Sequence, residues 1–72
     1  MKLTTAIKRL KKAGFAVASM NDTCNYAAAM AGSADHIELT TDSAGEVYGV
    51  EIIIANGDRS QYGNITWAID SY

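Results

Sequence analysis

The sequence predicts an α+β domain: an antiparallel four-stranded meander with an N-terminal helix and a C-terminal helix packed on one face. Three observations lead there. The first residues repeat apolar positions at the helical period, the middle of the chain alternates at period two, and glycine or asparagine, never proline, separates the segments.

From Thr4 to Ala13, Ala6, Ile7, Leu10 and Ala13 recur at helical spacing with Leu3 leading in, and Lys8, Arg9, Lys11 and Lys12 fill the other positions. This is an amphipathic helix. Thr4 or Thr5 is the expected cap, Lys11 and Lys12 suit the negative end of the helix dipole, and Gly14 supplies the left-handed residue that stops it.

Phe15 to Met20 then reads as a strand ending at the turn formers Asn21 and Asp22. Cys24 to Ala31 is read as a second, with Tyr26, Ala28 and Met30 on one face, although its alanines equally suit a helix. His36 to Asp42 alternates Ile37, Leu39 and Thr41 against His36, Glu38, Thr40 and Asp42, and Ser43-Ala44-Gly45 forms a turn. Glu46 to Ala55 places Tyr48, Val50, Ile52 and Ile54 on one face, and the run Ile52-Ile53-Ile54 favours the middle of a sheet.

Asn56-Gly57 marks a turn, followed by the polar stretch Asp58 to Gln61 and Gly63-Asn64. Two readings then compete for Ile65 to Tyr72. With Asn64 as cap, Ile65, Ala68, Ile69 and Tyr72 form the stripe of a helix; alternation of Ile65, Trp67 and Ile69 makes a fifth strand, and the helix is preferred. Tyr62, Trp67 and Tyr72 are expected in the core.

With 72 residues, 49% hydrophobic and 19% charged, the chain has a globular composition and room for one domain, 1–72. One core of this size supplies about 3–5 kcal/mol and leaves little space for a buried active site, which weighs against an enzyme. Cys24 is the only cysteine, so no intrachain disulfide forms and a reducing cytoplasm is the expected compartment. Lys2, Lys8, Arg9, Lys11 and Lys12 interrupt any apolar run suited to export or membrane insertion.

Residues 1–12 carry five cations and no acid, while residues 13–72 carry Arg59 against eight acids; the two parts, +5 and −7, give the net charge of −2. A basic edge and an acidic face follow. No cofactor is implied: His36 lacks a spaced nucleophile and reads as a surface strand histidine, one Cys and one His do not make a zinc set, and no glycine-rich phosphate loop is present. Cys24, without a basic neighbour, reads as a half-buried filler, and the Asn64-Ile65-Thr66 sequon has no consequence without export.

The segment Ile7-Lys8-Arg9-Leu10-Lys11-Lys12-Ala13-Gly14-Phe15-Ala16-Val17, the later strands, Asp58-x-Ser60-x-Tyr62 and the closing Ile65-x-x-Ala68-Ile69 resemble small phage and prophage accessory proteins. The resemblance implies a helix, a four-stranded antiparallel sheet and a terminal helix, in a class that includes anti-CRISPR inhibitors, and makes the expected cytoplasm that of a bacterial host. It transfers no functional residue.

Two binding surfaces compete. Glu38 and Asp42 from one strand and Glu51 from the next are expected on the face opposite Ile52 and Ile54, beside Ala27 and Ala29, forming an acidic surface for a basic, nucleic-acid-handling host protein. Alternatively Lys8, Arg9, Lys11 and Lys12 meet nucleic-acid phosphates, a reading opposed by the overall acidity and the lack of an exposed aromatic pattern. A structural assembly component is a third possibility, and a monomer or weak dimer is expected.

Overall fold

A computed structural model describes residues 1–20 and 25–72. The expected turn at Asn21-Asp22 and the expected position of Cys24 lie outside the described residues. Helix α1 spans Leu3–Lys12, with Ala6 and Leu10 buried and Lys8, Arg9, Lys11 and Lys12 exposed. Neither Thr4 nor Thr5 caps it. The cap residue is Lys2, which makes no side-chain cap bond. The entry is instead held by tertiary contacts, Leu3 N–H donating to the Gly45 carbonyl at 2.8 Å and Val47 N–H to the Met1 carbonyl at 2.9 Å. At the other end Gly14 adopts φ 99°, its N–H bonds the Lys11 carbonyl at 3.0 Å, and Phe15 N–H bonds the Leu10 carbonyl at 2.9 Å. That paired closure is a Schellman motif, and its apolar contact is Leu10 with Phe15, both buried in the core.

Five strands follow, β1 (Ala16–Ser19), β2 (Asn25–Ala29), β3 (His36–Thr41), β4 (Val47–Ile53) and β5 (Arg59–Tyr62), then helix α2 (Ile65–Ser71). The sheet order is β1-β2-β3-β4-β5, every pair antiparallel. The meander is therefore as expected, but with five strands rather than four. The added strand is the polar stretch before Gly63, which pairs Ile53↔Arg59, Ile52↔Ser60, Glu51↔Gln61 and Val50↔Tyr62. An edge strand with three polar residues lacks the apolar alternation by which a strand is read from sequence.

Ile37, Leu39, Val50, Ile52 and Ala28 form the buried face of the sheet, with Tyr26 packed against it as expected. Both helices cover this face, α1 through Ala6 and Leu10 and α2 through Ile65 and Ala68. The terminal segment is a helix because Asn64 caps it, its Oδ1 accepting the Trp67 N–H at 2.9 Å. Tyr72 packs edge-on against Phe15 at 4.8 Å between ring centroids, and its hydroxyl lies 2.7 Å from Ser33 Oγ and bonds the Asp35 carbonyl. These contacts tie the chain's last turn to the β2–β3 connection.

Between Thr40 and Thr41 the β3–β4 register shifts, pairing Thr40↔Gly49 but Thr41↔Val47. Tyr48 is the extra residue of this bulge. It leaves the face shared by Val50 and Ile52 and stands 71% exposed. Trp67, expected in the core, is also exposed, at 61%. Ile65 and Ala68 take the buried stripe of α2 and turn Trp67 outward.

Candidate functional site: the open sheet face

With both helices on one side, the opposite face of the sheet has no helix over it. Its central row, read across the strands, is Ala18↔Ala27↔Glu38↔Glu51↔Gln61. Adjacent rows contribute Asn25↔Thr40↔Gly49 and His36↔Ile53↔Arg59. The β1–β2 side of the central row is alanine, and the charged residues Glu38, Glu51 and Arg59 gather on β3 to β5. Two carboxylates directly opposite one another on neighbouring strands repel, and the fold answers with Arg59. Its Nη1 lies 3.6 Å from Glu38 Oε1 and 3.4 Å from Glu51 Oε1. Two acids bridged by one guanidinium leave a local charge of −1. The Glu38 side chain is only 8% exposed, Glu51 24% and Arg59 53%, so one member of the clamp is buried.

Glu38 and Glu51 are thus brought together as the alternation implies, but Asp42 is not with them. It lies past the end of β3, where its Oδ1 accepts the N–H groups of Ala44 and Glu46, each at 2.9 Å. Its carboxylate organises the β3–β4 turn rather than the open face. Sequence reasoning also missed Arg59 as the partner of both glutamates, because only the register of β5 brings it there.

Beside the clamp is a shallow pocket of about 330 Å³, lined by Thr40, Tyr48, Gly49, Val50, Glu51, Gln61 and Tyr62. Gly49 opens it: a Cβ there would approach Thr40 Cβ to 3.3 Å. The bulge sets the exposed Tyr48 ring at the rim. Tyrosine, a carboxylate and the Thr40 and Gln61 polar groups together suit a cationic side chain, which gains both a charge partner and an aromatic face.

On the helix side, no carboxylate lies within 4 Å of Lys8, Arg9, Lys11 or Lys12 among the described residues. Arg9 Nη1 instead reaches Thr66 Oγ1 at 3.4 Å, next to exposed Trp67. Three further acids, Glu46, Asp35 and Asp58, are engaged locally. Glu46 binds the N-terminal ammonium and Lys2 Nζ, each at 3.1 Å, and these partners hold its carboxyl below the usual glutamate range. Asp35 Oδ1 accepts Ala55 N–H at 2.9 Å, and Asp58 Oδ2 accepts Asn56 Nδ2–H at 3.1 Å.

Among the described residues no group of three or more His, Cys, Asp or Glu side chains is placed to hold a metal, and no helix is long and apolar enough to cross a membrane. The fold and face define a small α+β meander with one helix-covered and one open sheet surface. Comparison with protein-family models, with curated proteins and with solved structures finds no match to this chain.

Proposed function

We propose that the protein is a non-enzymatic binding protein of phage type that docks its open sheet face on a basic surface of a host protein, inhibiting or modulating it in the host cytoplasm. The observation that carries this reading is the juxtaposition of the Glu38–Arg59–Glu51 clamp with the pocket rimmed by Tyr48. A lysine or arginine of the partner enters beside Glu51 and under the Tyr48 ring, and the flat methyl surface of Ala27 and its neighbours permits close approach. The specific form, an anti-CRISPR inhibitor acting on a nucleic-acid-handling complex, rests on the resemblance of residues 7–17 and of the closing segments to phage accessory proteins.

A second reading has its own observation, the four exposed cations of α1 without carboxylate partners among the described residues, one of which, Arg9, reaches Thr66 of α2, the residue before exposed Trp67. That surface suits nucleic-acid phosphates with one stacked base. At physiological salt, charges beyond about 8 Å are largely screened. The −7 of residues 13–72 therefore weakens long-range steering without forbidding local contact.

Capture from bacterial lysate, with and without nuclease, separates the two. Retention of a nuclease-resistant protein that is lost on Glu51→Lys or Tyr48→Ala, but kept by Lys8→Glu with Lys12→Glu, supports the sheet face. Nucleic acid retained alone, and lost with the lysine reversals, overturns it in favour of the helix.

A further inference from the structure

The outer edge of β1 carries unused hydrogen-bonding capacity. Its register on β2 is Ser19↔Tyr26, Ala18↔Ala27, Val17↔Ala28 and Ala16↔Ala29, and Met20 N–H donates to the Asn25 carbonyl at 2.9 Å. Bonded and non-bonded pairs alternate along an antiparallel ladder. Met20 is at a bonded position, so Ala18 and Ala16 are too, and Val17 and Ser19 turn their N–H and C=O groups outward. No turn, loop or cap bond among the described residues takes up these four groups. Natural edges are normally guarded by charge, proline or a bulge. Strand β5 has Arg59, whereas Ala16-Val17-Ala18-Ser19 has none of these devices.

We infer that β1 pairs with β1 of a second copy of this chain, antiparallel about a two-fold axis at Ala18, joining two sheets into one of ten strands. In this register Val17 of each copy exchanges both backbone bonds with Ser19 of the other, and all the outward groups are used. The two Ala18 residues meet at a non-bonded position, where Cα atoms approach to about 4.5 Å and a methyl group fits. A two-fold centred on Val17 is poorer. It sets Ser19 opposite Phe15, whose N–H already donates to the Leu10 carbonyl at 2.9 Å. The register is self-complementary, as a two-fold contact between identical copies requires, and the small Ala18 side chain leaves the axis free of steric conflict.

Two consequences follow. The open faces become continuous, with the two Glu38 residues, the nearest members of the two clamps, about 24 Å apart, five strand spacings of about 4.8 Å. Helix α1 packs on β1, so two basic helices come to the same side of the joined sheet. Salt therefore tightens the association, opposite to its effect on phosphate binding.

Sedimentation equilibrium between about 10 μM and about 1 mM tests this, with the mass expected to rise from 7.7 kDa toward twice that value. Ser19→Pro removes an outward donor that the intrachain ladder does not use, and Ala18→Lys sets two cations on the axis. Each should weaken dimerisation by about 10-fold or more, while Gln61→Lys on β5 should leave it unchanged. In the unaltered protein, amide exchange at Val17 and Ser19 should slow as concentration rises, which decides the matter even where a variant fails to fold. A 7.7 kDa species throughout, a dimer indifferent to both β1 variants, concentration-dependent protection at β5, or β1 pairing only with an extended peptide of another protein each overturns the proposal.

Discussion

Replacing Arg59 by Gln keeps a polar side chain of intermediate length and removes the charge between Glu38 and Glu51. Two ion pairs, at 3.6 Å and 3.4 Å, are broken by the change. At an effective dielectric of about 20 each amounts to about 5 kcal/mol of gross attraction, against roughly 3 kcal/mol of repulsion between the two carboxylates. Water reduces these figures, because the guanidinium is 53% exposed. Exposed pairs contribute about 1 kcal/mol or less, whereas stripping the partner from a buried charge costs about 3–5 kcal/mol. Glu38, at 8% side-chain exposure, lies toward the second case and Glu51 toward the first. The expected loss is therefore about 2 kcal/mol, a fall in Tm of about 8–16 °C for a domain of this size. Thermal unfolding by circular dichroism at low salt measures it. Repeating the change in a Glu38→Gln background should recover about half of the loss, the coupling a double-mutant cycle isolates. A Tm drop of under about 3 °C, or an equal drop in both backgrounds, would show the clamp to be an ordinary solvated pair and would refute its role in organising the open face.

Leu10→Ala empties a fully buried site in the core on the inner face of α1; the expected cost of about 2–5 kcal/mol is comparable with the whole stability of a domain this small, so circular dichroism should show largely unfolded protein at 25 °C. Asn64→Ala removes the bond to Trp67 N–H and should cost about 0.5–2 kcal/mol in chemical denaturation, with fraying of α2 visible as faster amide exchange at Trp67. Because the Glu46 carboxyl is held below its ordinary range by the N-terminal ammonium and Lys2, its contribution is present at neutral pH and lost as pH falls through that lowered value. Glu46→Gln should therefore flatten the acid limb of stability against pH, measured by thermal unfolding across the acid range. Trp67→Ala, at an exposed position, should alter Tm by no more than about 4 °C in thermal unfolding followed by circular dichroism.

Much of this architecture is legible in the residues. The period of Ala6, Ile7, Leu10 and Ala13, the stop at Gly14, the strands around Ile37-Leu39 and Val50-Ile52 and the Asn64 cap are local signals, and each acts through backbone geometry its own neighbours set. Even the opposition of Glu38 and Glu51 follows from alternation along two adjoining strands.

Other features have no local signature. Arg59-Ser60-Gln61-Tyr62 becomes a strand only because β4 offers it a ladder, and Arg59 becomes the partner of two glutamates only through that register. The bulge that expels Tyr48 depends on how Thr41 and Val47 pair around the Asp42 turn, the same turn that withdraws Asp42 from the open face. The start of α1 is fixed by Gly45 rather than by a threonine. Periodicity along the chain determined which residues form helices and strands and which face of each is apolar. Pairing between distant segments decided the fifth strand, the clamp and the exposed aromatics, because hydrogen-bond registers and charge contacts between strands are properties of two chain segments at once and are written in neither alone.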